Sequence, residues 1–402
     1  MKKIFYSLAD YGNSEIKKVN EVLEKNSLTL MNGKNVKSFE NKVAKLFGKK
    51  YGVMVNSGSS ANLLGLAALE LKKGSEVITP ILTFSTTVSP IIQLGLVPVF
   101  VDVDKNKFLA NVENIEKLIT KKTRVIMIPN LLGNIANWPK LKKIAKKFNL
   151  ILLEDSADTI GYKIDNKIKG NFSDITTSSF YASHIITAAG FGGIVCFNDK
   201  KYFEISKIMR GWGRQSAVSD EKESYKVRFK NKINNLKYDS KYYFTKHGYN
   251  FLPSEISAAF GLEQLSKLKL RLSKRKKNFR YIKSYLNKHH ESYFFLPKQQ
   301  ENTDSAWLAF PLVFKTNKKN IRNKFQQFLE KRNIQTRAIF SGDVTKQPFM
   351  RNQKFVLHKF LNKEANLIMK NGILIGCHQL LSSKELKYIC NSISLFILKN
   401  FK

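Results

Sequence analysis

The sequence is poor in cysteine, and the cysteines that it has are far apart. Its 402 residues include three cysteines, Cys196, Cys377 and Cys390, and no Cys-x-x-Cys pair. A disulfide framework or a four-thiolate metal site needs more cysteines at closer spacing, so both are excluded within one chain. We therefore expect the three cysteines to be small residues of the core.

The sequence also lacks a long uninterrupted hydrophobic run near its first residue. Asp10 ends the apolar stretch that begins at Ile4, well short of the length that a signal peptide or a membrane span needs. We therefore expect a cytoplasmic protein with no membrane partner. Because 43% of the residues are hydrophobic, the chain can bury a large core, and a disordered chain is excluded.

Acidic residues are scarce, which leaves the chain with an extreme positive charge. Lysine and arginine number 69 against 31 aspartates and glutamates, and the formal net charge is +38. Such a charge is typical of nucleic-acid-binding proteins, whose basic groups neutralise phosphates. Here, however, lysines are spread along nearly every segment, arginine is scarce, and no nucleic-acid-binding module is recognisable. We interpret the charge as a lysine-rich surface that also attracts a polyphosphate substrate, and we expect no nucleic-acid partner.

Short apolar runs alternate with helical patterns in the first half of the sequence. The runs lie at residues 51–56, 76–80, 97–103, 124–129, 151–154, 175–180 and 192–197. Helical spacing occurs between them at residues 61–71 and 140–148. Helices that alternate with fully apolar strands are typical of a largely parallel sheet covered on both faces. The predicted fold class is therefore α/β.

The second half of the sequence is organised differently. Residues 200–250 are polar, and the charged stretch at 219–232 is typical of an exposed loop. A helix-rich segment follows at 253–286. Further strands are predicted at residues 307–314 and 334–340, and further helices at residues 321–331 and 383–398. We therefore predict a large domain at 1–265 and a smaller C-terminal α/β domain at 266–402, joined by a long helix.

A serine-rich turn lies between the strand predicted at 51–56 and the helix that follows it. Residues 56–62 read Asn-Ser-Gly-Ser-Ser-Ala-Asn. Gly58 permits a tight backbone turn, and the serine hydroxyls and backbone amides can face one anion at the N-terminus of the helix. The turn is a candidate phosphate site, and simple capping of the helix is the alternative.

An acidic pair, Glu154 and Asp155, comes at the end of the strand predicted at 151–154. Asp155 therefore lies at the carboxyl end of a sheet strand, where α/β folds bind ligands. A carboxylate there can pair with a protonated ring nitrogen and keep a pyridinium ring charged as an electron sink. Capping of the following turn is the alternative role.

The strand predicted at 175–180 leads to a third candidate group. Ser179 lies at its end, and His184 follows, ahead of the glycine-rich residues 190–193. Histidine titrates near neutrality and can act as an acid or a base. A single histidine is more often structural, so this motif alone does not identify a reaction.

The order of these motifs resembles the DegT/DnrJ/EryC/StrS family of sugar aminotransferases. The likeness extends from about residue 30 to residue 396. It includes the motifs at residues 56–64, 82–87, 95–103, 154–155, 179–181, 248–250 and 258–265. The resemblance implies a fold-type I aminotransferase that uses pyridoxal phosphate (PLP). It also implies a homodimer whose two active sites each borrow residues from the neighbouring subunit.

One position departs from the common pattern of this family. Most members carry a lysine that holds the cofactor as an internal Schiff base, and this sequence has His184 there. Because an imidazole cannot form that imine, we expect noncovalent binding of PLP or of its amine form, pyridoxamine phosphate (PMP). With a histidine at this position, the sequence resembles the 3-dehydratases of the family, which act on nucleotide-linked 4-keto-6-deoxy sugars. Asp158, where the aminotransferases usually carry glutamine, agrees with that subgroup.

Two types of dehydratase differ in their cysteines. The CDP-sugar type carries iron-sulfur cysteines in the loop after the segment that corresponds to residues 210–214, but residues 215–221 contain none. We therefore expect no iron-sulfur cluster and no metal. The other type, that of the GDP-sugar 3-dehydratases, regenerates PMP from L-glutamate. Because the C-terminal half, including residues 246–250 and 336–342, stays close to the CDP-sugar type, the nucleotide is left open.

The resemblance also implies roles for individual residues. The cofactor-binding residues are expected to be Gly58, Ser59, Ser60, Phe84, Asp155, Asp158, Ser179 and, from the neighbouring subunit, Asn250. His184 is expected to act as both base and acid, because imidazole titrates closer to neutrality than a lysine amine does. Arg214 and Arg337 are candidates for the substrate diphosphate, whose oxygens match the guanidinium fork, and surface solvation is the alternative.

Two other interpretations stay open. The first is a PLP-dependent aminotransferase that delivers an amino sugar, which the missing lysine disfavours. The second is a cofactor-binding but catalytically silent regulator or scaffold, which the retention of Asp155, Ser179 and Asn250 disfavours. Neither the sugar's stereochemistry nor the choice between hexose and heptose follows from the sequence.

Overall fold

The structure is a computed structural model that describes residues 2–25, 30–165, 171–219, 224–316, 318–358 and 363–401. In chain order its strands are β1 (Tyr51–Val55), β2 (Glu76–Pro80), β3 (Val97–Val101), β4 (Thr123–Pro129), β5 (Ile151–Asp155), β6 (Lys163–Ile164), β7 (Ile175–Ser179), β8 (Gly193–Phe197), β9 (Asn231–Ile233), β10 (Leu236–Tyr238), β11 (Phe294–Phe295), β12 (Thr303–Asp304), β13 (Ala309–Phe314), β14 (Thr336–Ala338), β15 (Val356–Leu357) and β16 (Gly372–Gly376). The α-helices are α1 (Asn13–Glu24), α2 (Lys34–Leu46), α3 (Gly58–Ala67), α4 (Ser85–Gln93), α5 (Trp138–Phe148), α6 (Lys200–Arg210), α7 (Tyr225–Arg228), α8 (Glu255–Ser266), α9 (Leu268–His290), α10 (Ile321–Lys331), α11 (Lys363–Asn371) and α12 (Ser383–Phe401).

The larger sheet has eight strands in the order β1-β8-β7-β5-β4-β2-β3-β15. Every neighbouring pair from β7 to β15 is parallel, whereas β8 runs antiparallel to both β7 and β1. The prediction of a mostly parallel sheet is therefore confirmed. In this register Asp155 lies opposite Pro129 of β4 and Thr177 of β7, so the ends of three strands meet at one edge.

Alternate residues of the central strands point into two separate cores. In β1, Val53 and Val55 pack with residues of α3, α4 and α6, whereas Met54 packs with residues of α2, α5 and α8. This alternation follows from the two-residue period of a strand when helices cover both faces of its sheet. Covering both faces also explains why these strands appear in the sequence as continuous apolar runs.

The second sheet is antiparallel and has the order β11-β13-β16-β14. It packs against helices α9 to α12 in a third core, which is rich in phenylalanine. The predicted boundary at residue 265 falls within α8, and β15, from the C-terminal part of the chain, joins the larger sheet beside β3. The division into domains at 1–265 and 266–402 stays a proposal.

Two segments differ from the elements predicted for them. The helix-rich segment at 253–286 forms two helices, α8 and α9, which meet at Lys267. The exposed loop predicted at 219–232 lies partly outside the described residues, and from Ser224 the chain forms α7 and the exposed hairpin of β9 and β10. None of the helices in the described part of the chain combines the length and the apolarity of a membrane span.

Candidate active site

A cavity of about 450 Å³ opens at the carboxyl ends of β4, β5 and β7, where α/β folds bind ligands. Its opposite wall comes from β14 and β16 of the second sheet. The predicted residues that line the cavity are Gly58, Ser59, Phe84, Asp155, Asp158, Ser179, His184 and Arg337. Three predicted residues, Ser60, Arg214 and Asn250, do not line it. The fold therefore brings most of the predicted site together within one chain.

The N-terminus of α3 forms one end of the cavity. Ser57 is the N-cap residue, and its Oγ accepts a hydrogen bond from the backbone amide of Ser60 at 3.1 Å. The Ser60 hydroxyl lies 2.9 Å from the same oxygen, so Ser60 belongs to the cap. Ser59 instead faces the cavity, where its hydroxyl bonds to Thr86 Oγ1 at 3.0 Å. The turn thus combines the capping role, taken by Ser57, with a surface that can face an anion.

Gly58 is needed for space and not for an unusual backbone angle. It is the first residue of α3 and does not adopt a positive φ. A Cβ atom at this position would lie 2.4 Å from Cβ of Ser179. The predicted reason for the glycine, a tight turn, is thereby replaced by the close approach of β7 to the helix. The N-terminus of α3 and the end of β7 together form a polar cradle that suits an anion.

Asp155 ends β5 and is held by three hydrogen-bond donors. Its Oδ2 accepts from Asn62 Nδ2 at 2.8 Å and from Thr87 Oγ1 at 2.9 Å, and its Oδ1 accepts from the backbone amide of Ala157 at 3.1 Å. Burial raises the pKa of the Asp155 carboxyl, and the three donors oppose that shift. A buried, oriented carboxylate of this kind is suited to pair with a cationic ring nitrogen.

Two further residues of the site, Asn62 and Thr87, were not predicted. Asn62 lies one turn into α3, and Thr87 lies in the first turn of α4. Both belong to the family motifs at residues 56–64 and 82–87, but the motifs do not show which residues they contact. Their common partner, Asp155, is distant in the chain, which explains why spacing alone did not reveal the contact.

His184 lies in the loop that follows β7. Its Nδ1 is 3.1 Å from the carbonyl oxygen of Ser179. A carbonyl oxygen can only accept, so Nδ1 carries the proton of the neutral ring and Nε2 keeps a free lone pair. Burial lowers the pKa of His184 to about 4. At neutral pH the side chain is therefore a neutral imidazole in the form of a base.

Asp158 lines the same cavity and is shifted in the opposite direction. Its Oδ2 accepts from the backbone amide of Leu132 at 2.8 Å. Burial and, to a smaller extent, the charge of Asp155 raise the pKa of the Asp158 carboxyl to about 7. Asp158 and His184 also line a second, smaller void beside the main cavity. Two titratable groups with opposed shifts in one space are typical of sites that move protons.

Aromatic side chains from the two walls meet at an exposed part of the cavity. Phe84, 52% exposed, meets Phe340 edge to face with ring centroids 6.2 Å apart. Arg337 donates to the carbonyl oxygen of Thr336 at 2.8 Å, and its guanidinium lies 5.6 Å from the ring centroid of Tyr6. Tyr6 lines the cavity and was not predicted, because nothing in the sequence around it indicates a site.

Two predicted residues lie away from the cavity of their own chain. The guanidinium of Arg214 lies 4.3 Å from the ring centroid of Trp212. Asn250 is exposed and forms an isolated bridge with Gly211. Asn250 was expected to serve a neighbouring subunit, so that role stays a prediction. The diphosphate role of Arg214 has no support from the single chain.

The cysteines occupy the positions expected of core residues. Cys196 lies in β8, and Cys377 and Cys390 belong to the core of the second sheet, all three buried. Within the ranges that the structure describes, no three His, Cys, Asp or Glu side chains gather as a metal site would require. Residues 220 and 221, the last two of the cysteine-free stretch 215–221, lie outside the described residues.

The chain belongs to the DegT/DnrJ/EryC1/StrS aminotransferase family, whose model matches residues 9–394. The family predicted from the motifs is confirmed. The chain is 36% identical over 384 residues to the lipopolysaccharide biosynthesis protein RfbH of Salmonella typhimurium, which covers 92% of this chain and 87% of that protein. It is 35% identical over 402 residues to the GDP-4-keto-6-deoxy-D-mannose 3-dehydratase of Escherichia coli O55:H7, with 96% and 98% covered.

Solved structures of GDP-4-keto-6-deoxymannose 3-dehydratase share this fold. The E. coli protein with bound hydrated PLP has a TM-score of 0.85 and 32% identity, with 97% of this chain and 99% of that chain covered. A form with a trapped PLP-glutamate geminal diamine has the same TM-score and identity, with 96% and 99% covered. The predicted fold-type I architecture is thereby confirmed.

Proposed function

We propose that this chain is a PLP/PMP-dependent 3-dehydratase of a nucleotide-linked 4-keto-6-deoxy sugar, with L-glutamate as the amino donor. The observation that carries the proposal is the neutral imidazole of His184 in the cavity, at the position where the family's aminotransferases carry a lysine. Similarity over nearly the whole chain to a protein named as a GDP-sugar 3-dehydratase supports the substrate class. The hydrated PLP and the PLP-glutamate adduct in the solved relatives support the cofactor and the donor.

The residues present fit a PLP phosphate and ring. The cradle at Gly58, Ser59 and Ser179 suits the phosphate, because the N-terminus of α3 and two hydroxyl-bearing side chains line the cavity there. Asp155 suits the ring nitrogen, and the exposed Phe84 suits the ring face. When bound, the cofactor supplies an electron sink for negative charge that develops on carbon.

His184 is the group that moves protons. With Nδ1 committed to the Ser179 carbonyl, Nε2 would be free to accept the proton removed from the methylene carbon of bound PMP. The resulting imidazolium would give up this proton more readily than an ordinary imidazolium, because burial lowers the pKa of His184 to about 4. It could therefore return the proton to the departing 3-hydroxyl, which leaves as water. One side chain then serves both steps.

Asp155 sets the charge of the site. Its carboxylate is fixed by Asn62 and Thr87, so it can hold a cationic ring nitrogen without turning away. Burial raises the pKa of the Asp155 carboxyl, and a cationic ring nitrogen beside it would oppose that shift and favour the ionised form. Arg337, on the exposed wall, is the group of this chain that suits the diphosphate.

We infer further that the chain acts as a cytoplasmic homodimer in which Asn250 reaches the phosphate end of the neighbouring site. Neither Asn250 nor Arg214 lines the cavity of its own chain, which agrees with residues that serve a second copy. The likeness to the Salmonella protein named for lipopolysaccharide biosynthesis supports a place in polysaccharide precursor synthesis. No iron-sulfur cluster is needed for the reaction proposed here.

Two measurements test the proposal. Glutamate added to the PLP-loaded protein should convert the aldehyde to the amine, and borohydride should attach no cofactor to protein. Mass spectrometry of products from GDP-, CDP- and dTDP-4-keto-6-deoxy sugars should then show loss of water and release of ammonia. A covalently labelled lysine or an amino-sugar product would contradict the dehydratase, and no turnover with any sugar would favour the silent protein.

A further inference from the structure

Residues 4–10 form a strap that crosses from the second sheet to the loop that carries His184. At its start, the amide of Ile4 donates to the Asn333 carbonyl at 2.7 Å, and the amide of Gln335 donates back to the Ile4 carbonyl at 2.9 Å. Two residues later the amide of Tyr6 donates to Gln335 Oε1 at 2.9 Å. The beginning of the strap is therefore fixed to the edge of the second sheet.

The far end of the strap is fixed to α8, α9 and the segment after β16. Asp10 Oδ2 accepts from Arg271 Nε at 3.2 Å and from Gln379 Nε2 at 3.1 Å. The carbonyl oxygen of Asp10 accepts from Gln264 Nε2 at 2.9 Å. Because both ends are fixed, the backbone between them has little freedom to shift along the cavity rim.

Ser7 lies between these two fixed ends of the strap and contacts the loop that carries His184. Its Oγ donates to the carbonyl oxygen of Ser183 at 2.8 Å. The carbonyl of Ser183 and the amide of His184 belong to one planar peptide unit. The Ser7 hydroxyl therefore restrains the peptide plane from which the His184 side chain projects. The N–H group of the same peptide unit, the His184 amide, donates to the Tyr181 carbonyl at 3.0 Å.

We propose that Ser7 is a positioning residue that orients His184 for proton transfer by holding the peptide between Ser183 and His184. The inference rests on the proposed function of His184 as acid and base. Ser7 itself does not line the cavity, whereas its neighbour in the strap, Tyr6, does. A hydrogen bond from outside the loop is an effective restraint, because the local bonds of His184 move together with the loop.

The test compares Ser7→Ala with Ser7→Thr, which keeps a hydroxyl, and with Ser266→Ala as a matched control. Ser266 Oγ also donates to a carbonyl oxygen, that of Glu263 at 2.6 Å, but this bond lies within α8, away from the cavity. We expect Ser7→Ala to lower kcat by roughly tenfold, with little change in the KM for the sugar, as a small misplacement of a catalytic group does. Ser7→Thr should recover most of the loss, and Ser266→Ala should match the unmodified chain.

A second readout does not depend on turnover. In protein with ¹⁵N-labelled histidine, the imidazole signals of His184, assigned by their absence in His184→Asn, should report the Nδ1–H tautomer. These signals should broaden or shift in Ser7→Ala and stay in place in Ser266→Ala. An unchanged His184 spectrum, or a normal kcat for the folded fraction of Ser7→Ala, would overturn the positioning role. If no sugar is dehydrated by the unmodified chain, the proposed function fails, and the spectra still decide whether Ser7 orients His184.

Discussion

The two walls of the cavity differ in how firmly their polar side chains are held. On the wall of the larger sheet, Asp155 is 5% exposed and accepts three hydrogen bonds. On the wall of the second sheet, Arg337 is exposed, bonds to the carbonyl oxygen of its neighbour, and lies beside the Tyr6 ring. A preorganised wall suits a cofactor that stays bound through many turnovers. A looser wall suits a substrate that enters and leaves in each of them.

This difference indicates where variation in function can arise. Changes on the firmly held wall should affect chemistry and cofactor retention, because the donors that hold Asp155 would be left without a partner. Changes on the exposed wall should affect which nucleotide sugar binds and how tightly. The following variants test that division in order of decreasing expected effect.

The largest effect is expected from His184→Asn. Removal of the proton-transferring group should lower kcat for dehydration by about a thousandfold, within the range found for general acid-base residues. Cofactor binding should persist. His184→Lys should also abolish dehydration, and borohydride should then label the new lysine. Steady-state kinetics with His289→Asn, an exposed histidine that does not line the cavity, as the control would decide the matter. Full dehydration by His184→Asn would remove His184 from the mechanism.

Asp155→Asn should rank second. The amide keeps the shape of the side chain but cannot balance a cationic ring nitrogen, so we expect kcat to fall by about a hundredfold. The affinity for PLP should fall as well. Titration of the apoprotein with PLP and rate measurements would show both effects, and the exposed Asp304→Asn should show neither. A near-normal rate would mean that Asp155 does not face the ring nitrogen.

Gly58→Ala should loosen the phosphate end. The new Cβ would lie 2.4 Å from Ser179 Cβ, so α3 or β7 must shift. Overpacking of this kind costs about 1–3 kcal/mol, and we expect PLP to bind at least tenfold more weakly. Gly12→Ala is the control, since a Cβ there meets nothing within 4 Å. Equal PLP affinity in the two variants would show that the cradle does not bind the phosphate.

Asp158 and His184 should give the stability of the free protein opposite pH dependences. The pKa of Asp158 is raised to about 7, so its contribution is fully present below about pH 4 and is lost as the pH rises to 7. The pKa of His184 is lowered to about 4, so its contribution is present above about pH 6.5 and is lost as the pH falls to 4.

Urea unfolding between pH 4 and 7 measures both slopes. Each group should change the unfolding free energy by at most about 1.4 kcal/mol per pH unit. Asp158→Asn should make the unfolding free energy rise more steeply with pH, and His184→Asn should make it rise less steeply. Identical slopes in the two variants would show that neither group is shifted as its burial indicates.

The smallest effect is expected from Arg337→Ala, on the exposed wall. An exposed guanidinium that meets a diphosphate contributes on the order of 1 kcal/mol, so the KM for the nucleotide sugar should rise about fivefold while kcat stays within twofold. The rate of PMP formation from glutamate should be normal. Arg351→Ala is an exposed control. An unchanged KM would favour the surface-solvation role of Arg337.

Much of the fold followed from local patterns. The strand at 76–80 and the helix at 321–331 have the predicted bounds, because each is a short apolar or amphipathic stretch between clear ends. The break between α8 and α9 was missed, since no proline or glycine lies near Lys267 to indicate it. In the site, Asp155 was found because it ends the apolar strand β5, which the sequence shows directly, whereas the role of Ser179 followed from the resemblance to the family.

Contacts between segments that are distant in the chain could not be found in this way. Four residues meet their partners only because strands and helices far apart in the chain pack together: Tyr6, Ser7, Asn62 and Thr87. The same holds for the reason behind Gly58, which is the distance to Ser179 and not a turn. Sequence spacing describes neighbours along the chain, whereas these contacts depend on how layers pack.

The sequence by itself determined the alternation of strands and helices, the absence of a cysteine framework, and the identity of the residue that replaces the family lysine. These are properties of residue type and local order, which no packing changes. The tertiary structure decided the protonation of the site. Burial moves the pKa of His184 down and that of Asp158 up, and the Ser179 carbonyl selects the tautomer. Desolvation and hydrogen-bond geometry arise only when distant segments enclose a side chain, so the chemistry of His184 is a product of the fold.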